Sequence, residues 1–236
     1  MASLSESLAQ WQYVEDFRST VASRLRDISS MYDSKHPKLK LDALRDLRSY
    51  LSSDLPDALV LLKTVDDESV TSLLQKLCVR LGKLTESRET ILHLEVIQGL
   101  ALLFPQSGKC FSVPVHMEAL LKHLTSRSEE ILIHVLETLQ AVIIGSCENW
   151  KRFEQADGIG RICSVLKSRG AKRTPVLLNK YIEVFYIYLS SNKSGSSLDD
   201  RTKVLSHHMG DAWVSQMVKI LHLPESIEGS SLLPAD

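Results

Sequence analysis

Residues 153–168, FEQADGIGRICSVLKS, hold two glycines one residue apart, an arginine after the second and a cysteine close behind. Two kinds of structure use such a stretch: a loop that cradles a phosphate beside a reactive thiol, and the corner of a helical repeat. Sliding the chain against itself separates them. At an offset of 42, Phe111 falls on Phe153, Met117 on Ile159, Leu120 on Ile162, Leu121 on Cys163 and Leu124 on Leu166. Glu95 and Gln98 fall on Glu137 and Gln140, and no gap is needed from 95 to 124. Ser126 and Arg127 then meet Ser168 and Arg169, after which an insertion of four residues shifts the register so that Glu137 matches Glu183. An all-helical period of about 40–47 residues marks armadillo or HEAT repeats, units that bury their apolar faces only by stacking.

This register makes 153–168 a turn followed by the second helix of a repeat, with Asp157 placed to cap the helix and the glycines easing the corner. The earlier copy, FSVPVHMEALLKHLTS at 111–126, does the same with no glycine. A dinucleotide fingerprint would need a preceding strand and a third glycine where Cys163 stands. Cys163 instead takes a leucine's place, as a small core residue.

The rest of the chain fits an all-α class, an armadillo/HEAT-like helical solenoid, with no strand-like alternation anywhere. Leu4, Leu8, Trp11, Val14, Phe17, Val21, Leu25 and Ile28 recur at three and four, which predicts an amphipathic helix over 1–33. It either caps the domain or pairs with a partner in a short coiled coil. Pro37 suits a helix's first turn, and Leu39, Leu44, Leu47 and Leu51 are expected on one face of the helix that follows. SVTSLLQKLCVRLGKL, from 69, gives another helix. The repeat domain is expected over 34–192, a linker over 193–210 (the polar run SSNKSGSSLDDRTK starts at 190), a C-terminal helix over 211–223 and a disordered tail over 224–236.

Composition excludes several functions. Lys plus Arg (28) nearly balance Asp plus Glu (29) among 236 residues, so there is no global basic field for nucleic acid or an acidic membrane. Apolar runs such as LALLF at 100–104 are far below the roughly 20 residues that span a bilayer. The N-terminus matches neither a secretory signal nor a transit peptide, which points to the cytosol or nucleus. Cys78, Cys110, Cys147 and Cys163 form no C-x-x-C pair and lack histidines at zinc spacing, so no disulfide framework, metal site or cofactor is expected. His207 and His208 read as the start of a surface helix. No G-x-S-x-G, P-loop or kinase catalytic loop is present, so no catalytic residue is assigned.

The third helices of the repeats, ILHLEVIQGLALLF, EEILIHVLETLQAVII and LLNKYIEVFYIYL, are apolar almost all round, yet each keeps a glutamate at the same place. Glu95, Glu137 and Glu183, with Gln98, Gln140 and Tyr186 three residues on, would form a polar ladder along the surface that third helices line in a solenoid. An unpaired buried carboxylate costs several kcal/mol. Each glutamate therefore must reach water, an internal cation, with His93, His134, Lys180 and Arg88 as candidates, or the basic and amide groups of a protein partner. Lys167, Arg169, Lys172 and Arg173 make a basic cluster in the inserted loop, either solvated or able to dock acidic or phosphorylated segments.

EVIQGLALLFPQSGKCF, NWKRFEQADGIGRICSVLKSR and YIEVFYIYLSS, in that order and spacing, with HPKL before the first leucine-rich helix, resemble the fungal cell division control protein 14 family of the septation initiation network. That family is unrelated to the dual-specificity phosphatase of the same name. The resemblance covers roughly residues 20–192. It implies a non-catalytic subunit that binds a germinal-centre-type (sterile-twenty-like) protein kinase, supports its activity and joins it at the spindle pole body to trigger septation. It supplies no site residues. An armadillo-like adaptor for a different kinase or signalling partner stays open, as do the oligomeric state and, less favoured, an enzyme.

Overall fold

The computed structural model describes residues 4–53, 67–85, 87–169, 174–191 and 196–221. Among these every regular element is helical and no strand occurs. In chain order they are α1 (Leu4–Asp33), α2 (Pro37–Ser53), α3 (Asp67–Leu81), α4 (Ser87–Leu103), a 3-10 segment (Ser107–Ser112), α5 (Pro114–Leu121), a 3-10 turn (Lys122–Thr125), α6 (Glu129–Gly145), α7 (Cys147–Gln155), α8 (Gly158–Arg169), α9 (Pro175–Ser190), α10 (Leu198–Met209) and α11 (Asp211–Ile220). None is long and apolar enough to cross a membrane. The chain divides into two compact units, Met1–Gly158 and Ile159–Asp236.

Local chemistry explains the boundaries. Ser128 caps α6, its hydroxyl accepting from the Ile131 N–H, and Glu129 and Glu130 complement the positive helix start. Ser146 does the same for α7 through the Asn149 N–H, and Thr174 for α9, where Pro175 takes the first turn. Asp157, expected to cap the helix after it, has φ 53, and its N–H reaches the Glu154 carbonyl. It is therefore the left-handed residue that ends α7. Gly158 follows because a Cβ there would overlap the ring of Phe153.

In the first unit α2, α4 and α6 pack side by side, and α1, α3, the 3-10 segment and α5 join them. The close approach of α4 to α2 uses Gly99, where a Cβ would lie 3.1 Å from Leu51 Cδ1. The Thr138 hydroxyl of α6 donates to the Leu94 carbonyl of α4 at 3.2 Å and to its own helix at His134. Asn149, fully buried, donates through Nδ2 to the carbonyls of Gly108 and Val142 at 2.8 and 2.9 Å. Arg152 Nε donates to the Ser112 carbonyl at 2.9 Å. The Asn149 and Arg152 bonds give side-chain donors to carbonyls of the 3-10 segment, at Gly108 and Ser112, and near the end of α6, at Val142.

The 42-residue register is visible in burial. Phe111, Met117, Leu120, Leu121 and Leu124 are all core, as are their counterparts Phe153, Ile159, Ile162, Cys163 and Leu166. Cys163 is 1% exposed and Leu121 also 1%, so the thiol takes a leucine's place.

Some expectations are corrected. Leu39 is exposed and Ala43 replaces it beside Leu44, Leu47 and Leu51 in the core, because the five-residue step from 39 to 44 leaves the apolar face. The stretch 193–210 was expected to be a linker, but 198–209 is helix α10. Ser197 and Asp200 form a reciprocal capping box, and Leu205 is buried. That hydrogen bonding holds the Asp200 carboxyl below its usual range. His207 and His208 close α10 rather than open a helix. The C-terminal helix expected over 211–223 is described as Asp211–Ile220, with Trp213 edge-on to Phe185 at 5.5 Å between ring centres. The tail 224–236, the first part of the linker, and Lys172 and Arg173 of the basic cluster lie outside the described residues.

Candidate functional site

α4 and α6 expose few polar groups, and the predicted ladder supplies several of them. On α4, Glu95 and Gln98 are half-buried, and so are Glu137 and Gln140 on α6. The Thr138–Leu94 bond is one contact across the α4–α6 interface. On α9, in the second unit, Glu183 is half-buried and Tyr186 is 45% exposed.

Each glutamate has a cation or imidazole of this chain nearby. Arg48 of α2 donates to Glu95 at 3.1 Å, a pair that links α2 to α4. His134 Nδ1 lies 3.6 Å from Glu137, one turn back on α6, and Lys180 donates to Glu183 at 3.0 Å. His134 and Lys180 were anticipated from sequence. Arg48 was not, since it sits 47 residues away and nothing in the pattern joins α2 to α4. Arg88 and His93 are not the partners seen: His93 is buried against Tyr32. Partly exposed pairs of this kind are worth about 0–1 kcal/mol. Pairs so weakly bound contribute little to the fold.

The N-terminal helix has two different halves. Val21, Leu25, Ile28 and Tyr32 are buried, whereas Trp11 and Tyr13 are about two-thirds exposed and Val14 and Phe17 half-buried. Its second half packs against α2 and α3. Among the described side chains the predicted stripe is thus fully buried from Val21 onward and partly covered at Val14 and Phe17, while the side chains of Leu4 and Leu8 lie outside the described residues.

One grouping was not legible in the sequence. Cys78 on α3, Cys110 on the 3-10 segment and His116 on α5 place their ligand atoms within 4.8 Å of one another, and all three residues are buried. The spacing of 78, 110 and 116 follows no zinc motif, so only the packing of three elements shows the cluster.

Among curated proteins, no match to the chain was found. A family model does match: cell division control protein 14, SIN component, over residues 67–225, about two thirds of the chain. The match starts later than the resemblance read from sequence and runs on through α10 and α11, so the helices beyond 192 are part of the family's conserved extent. The chain belongs to the cell division control protein 14 family, described as a SIN component, and hence to a family of the septation initiation network.

Proposed function

We propose that the protein is a non-catalytic scaffold subunit that binds a germinal-centre-type protein kinase of the septation initiation network and accompanies it to the spindle pole body. The family match carries this reading. The surface adds to it: Glu95, Gln98, Glu137 and Gln140 are half-buried polar groups on the mostly apolar helices α4 and α6, suited to receive basic and amide groups of a partner. The matching burial of the two repeat copies favours a stacked armadillo-like scaffold, in which neighbouring third helices present one continuous surface.

The test is affinity purification of the tagged full-length chain from dividing cells under gentle lysis. Recovery of a germinal-centre-type kinase, reduced by Glu137→Lys in a chain of unchanged melting temperature, is the expected result. Purification that repeatedly returns no such kinase overturns the proposal.

A further inference from the structure

We propose that Cys78, Cys110 and His116 bind a structural zinc ion that ties α3, the 3-10 segment and α5 together. Their ligand atoms already lie within 4.8 Å of one another, close enough for a single ion to reach all three by small adjustments of rotamer. The donor set is Cys2His, whose soft sulfurs and imidazole suit zinc and disfavour magnesium or calcium, which take oxygen. Charge selects a divalent ion: two thiolates and one neutral imidazole around Zn2+ sum to zero. That is the arrangement a buried site tolerates, whereas a monovalent ion would leave a net negative charge in the core.

The surroundings are already arranged for a ligating histidine. His116 Nδ1 lies 2.9 Å from the Cys110 carbonyl, so that nitrogen carries the proton and donates, and Nε2 is the nitrogen through which the ring would ligate. Anchoring of a zinc-ligating ring through its other nitrogen is the usual outer-shell pattern. Here the residue that supplies one sulfur also orients the ring through its backbone. Of the three residues His116 lines an open groove, shared with Tyr32, Lys76, Val79 and Val113, which would bring water to the fourth position from the histidine side. On binding, each thiol gives its proton to solvent as its Zn–S bond forms, and no oxidant or reductant is involved.

The experiment uses full-length protein carrying Cys147→Ser, which removes the exposed thiol, purified through a tag without histidines. Metal analysis is expected to find about one zinc per chain. Cobalt added to the demetallated protein should give the near-ultraviolet thiolate-to-metal band and the visible bands of a tetrahedral site. Chelation should lower the melting temperature by several degrees. Cys110→Ser should weaken zinc binding by more than about 100-fold, while Cys163→Ser, outside the cluster, leaves it intact. Should Cys110→Ser fail to fold, the cobalt spectrum of the parent protein still decides. Absence of the thiolate band, or a disulfide between Cys78 and Cys110 in freshly purified protein, overturns the proposal and leaves the thiols as small core groups.

Discussion

Tyr32 and His93, 61 residues apart in sequence, share a buried hydrogen bond of 2.8 Å between the phenol oxygen and His93 Nε2. His93 Nδ1 lies 2.8 Å from the Glu89 carbonyl and therefore donates to it, so the Nε2 side accepts from the Tyr32 hydroxyl. The bond joins α1 to α4. Burial, the dominant effect, lowers the His93 pKa below its ordinary 6.5 and raises that of Tyr32. His123, which binds the Leu81 carbonyl, is lowered by burial too.

Acid should therefore destabilise the fold. A histidine with a depressed native pKa binds fewer protons folded than unfolded, so stability is complete above 6.5 and declines as pH falls through and below that value. The melting temperature should drop between about pH 7.5 and pH 5.5. His93→Gln should flatten part of that slope, and an unchanged slope would place the titration elsewhere.

Asn149 predicts a purely structural loss. Removing its amide in Asn149→Ala leaves the Gly108 and Val142 carbonyls without their buried donor, at about 1–3 kcal/mol for each unsatisfied group. Chemical denaturation should show a lower midpoint with little change in slope.

Gly158→Ala should be costly despite its small size. The added methyl would enter the ring of Phe153, and overpacking of this kind costs about 1–3 kcal/mol. The same change at Gly210 meets no atom within 4 Å but forces φ 91, ψ 146 on a residue with a Cβ, at about 1–3 kcal/mol, so its melting temperature should fall through backbone strain alone.

Truncation separates the halves of α1. Deleting residues 1–14 removes exposed Trp11 and Tyr13 and should leave the melting temperature nearly unchanged, whereas deleting 1–30 also strips Val21, Leu25 and Ile28 from the core. Those three side chains are worth roughly 1.5–3 kcal/mol each. If the shorter deletion keeps kinase binding, the exposed aromatic end takes no part in the interface.

The helical class was legible because apolar spacing is periodic, and the 42-residue offset paired positions that are core in both copies: Leu121 and Cys163 differ in chemistry yet both are buried. Periodicity fails where a contact joins distant, non-equivalent elements. Arg48 with Glu95, and Cys78 with Cys110 and His116, belong to that kind. Helix α10 was hidden for another reason. Its start, SSLDD, has linker composition, and the capping box of Ser197 and Asp200 is made of the same residue types that fill loops.

Arg201 gives that helix a further significance. Its guanidinium is buried and donates to the Leu189 carbonyl on one side of the connection and to the Ser196 carbonyl on the other, at 3.1 and 3.0 Å. A single side chain thus clamps both ends of the passage from α9 to α10. Arg201→Ala would leave both carbonyls without their charged donor and should unfasten α10 from the end of α9, read as faster amide hydrogen exchange across 198–209.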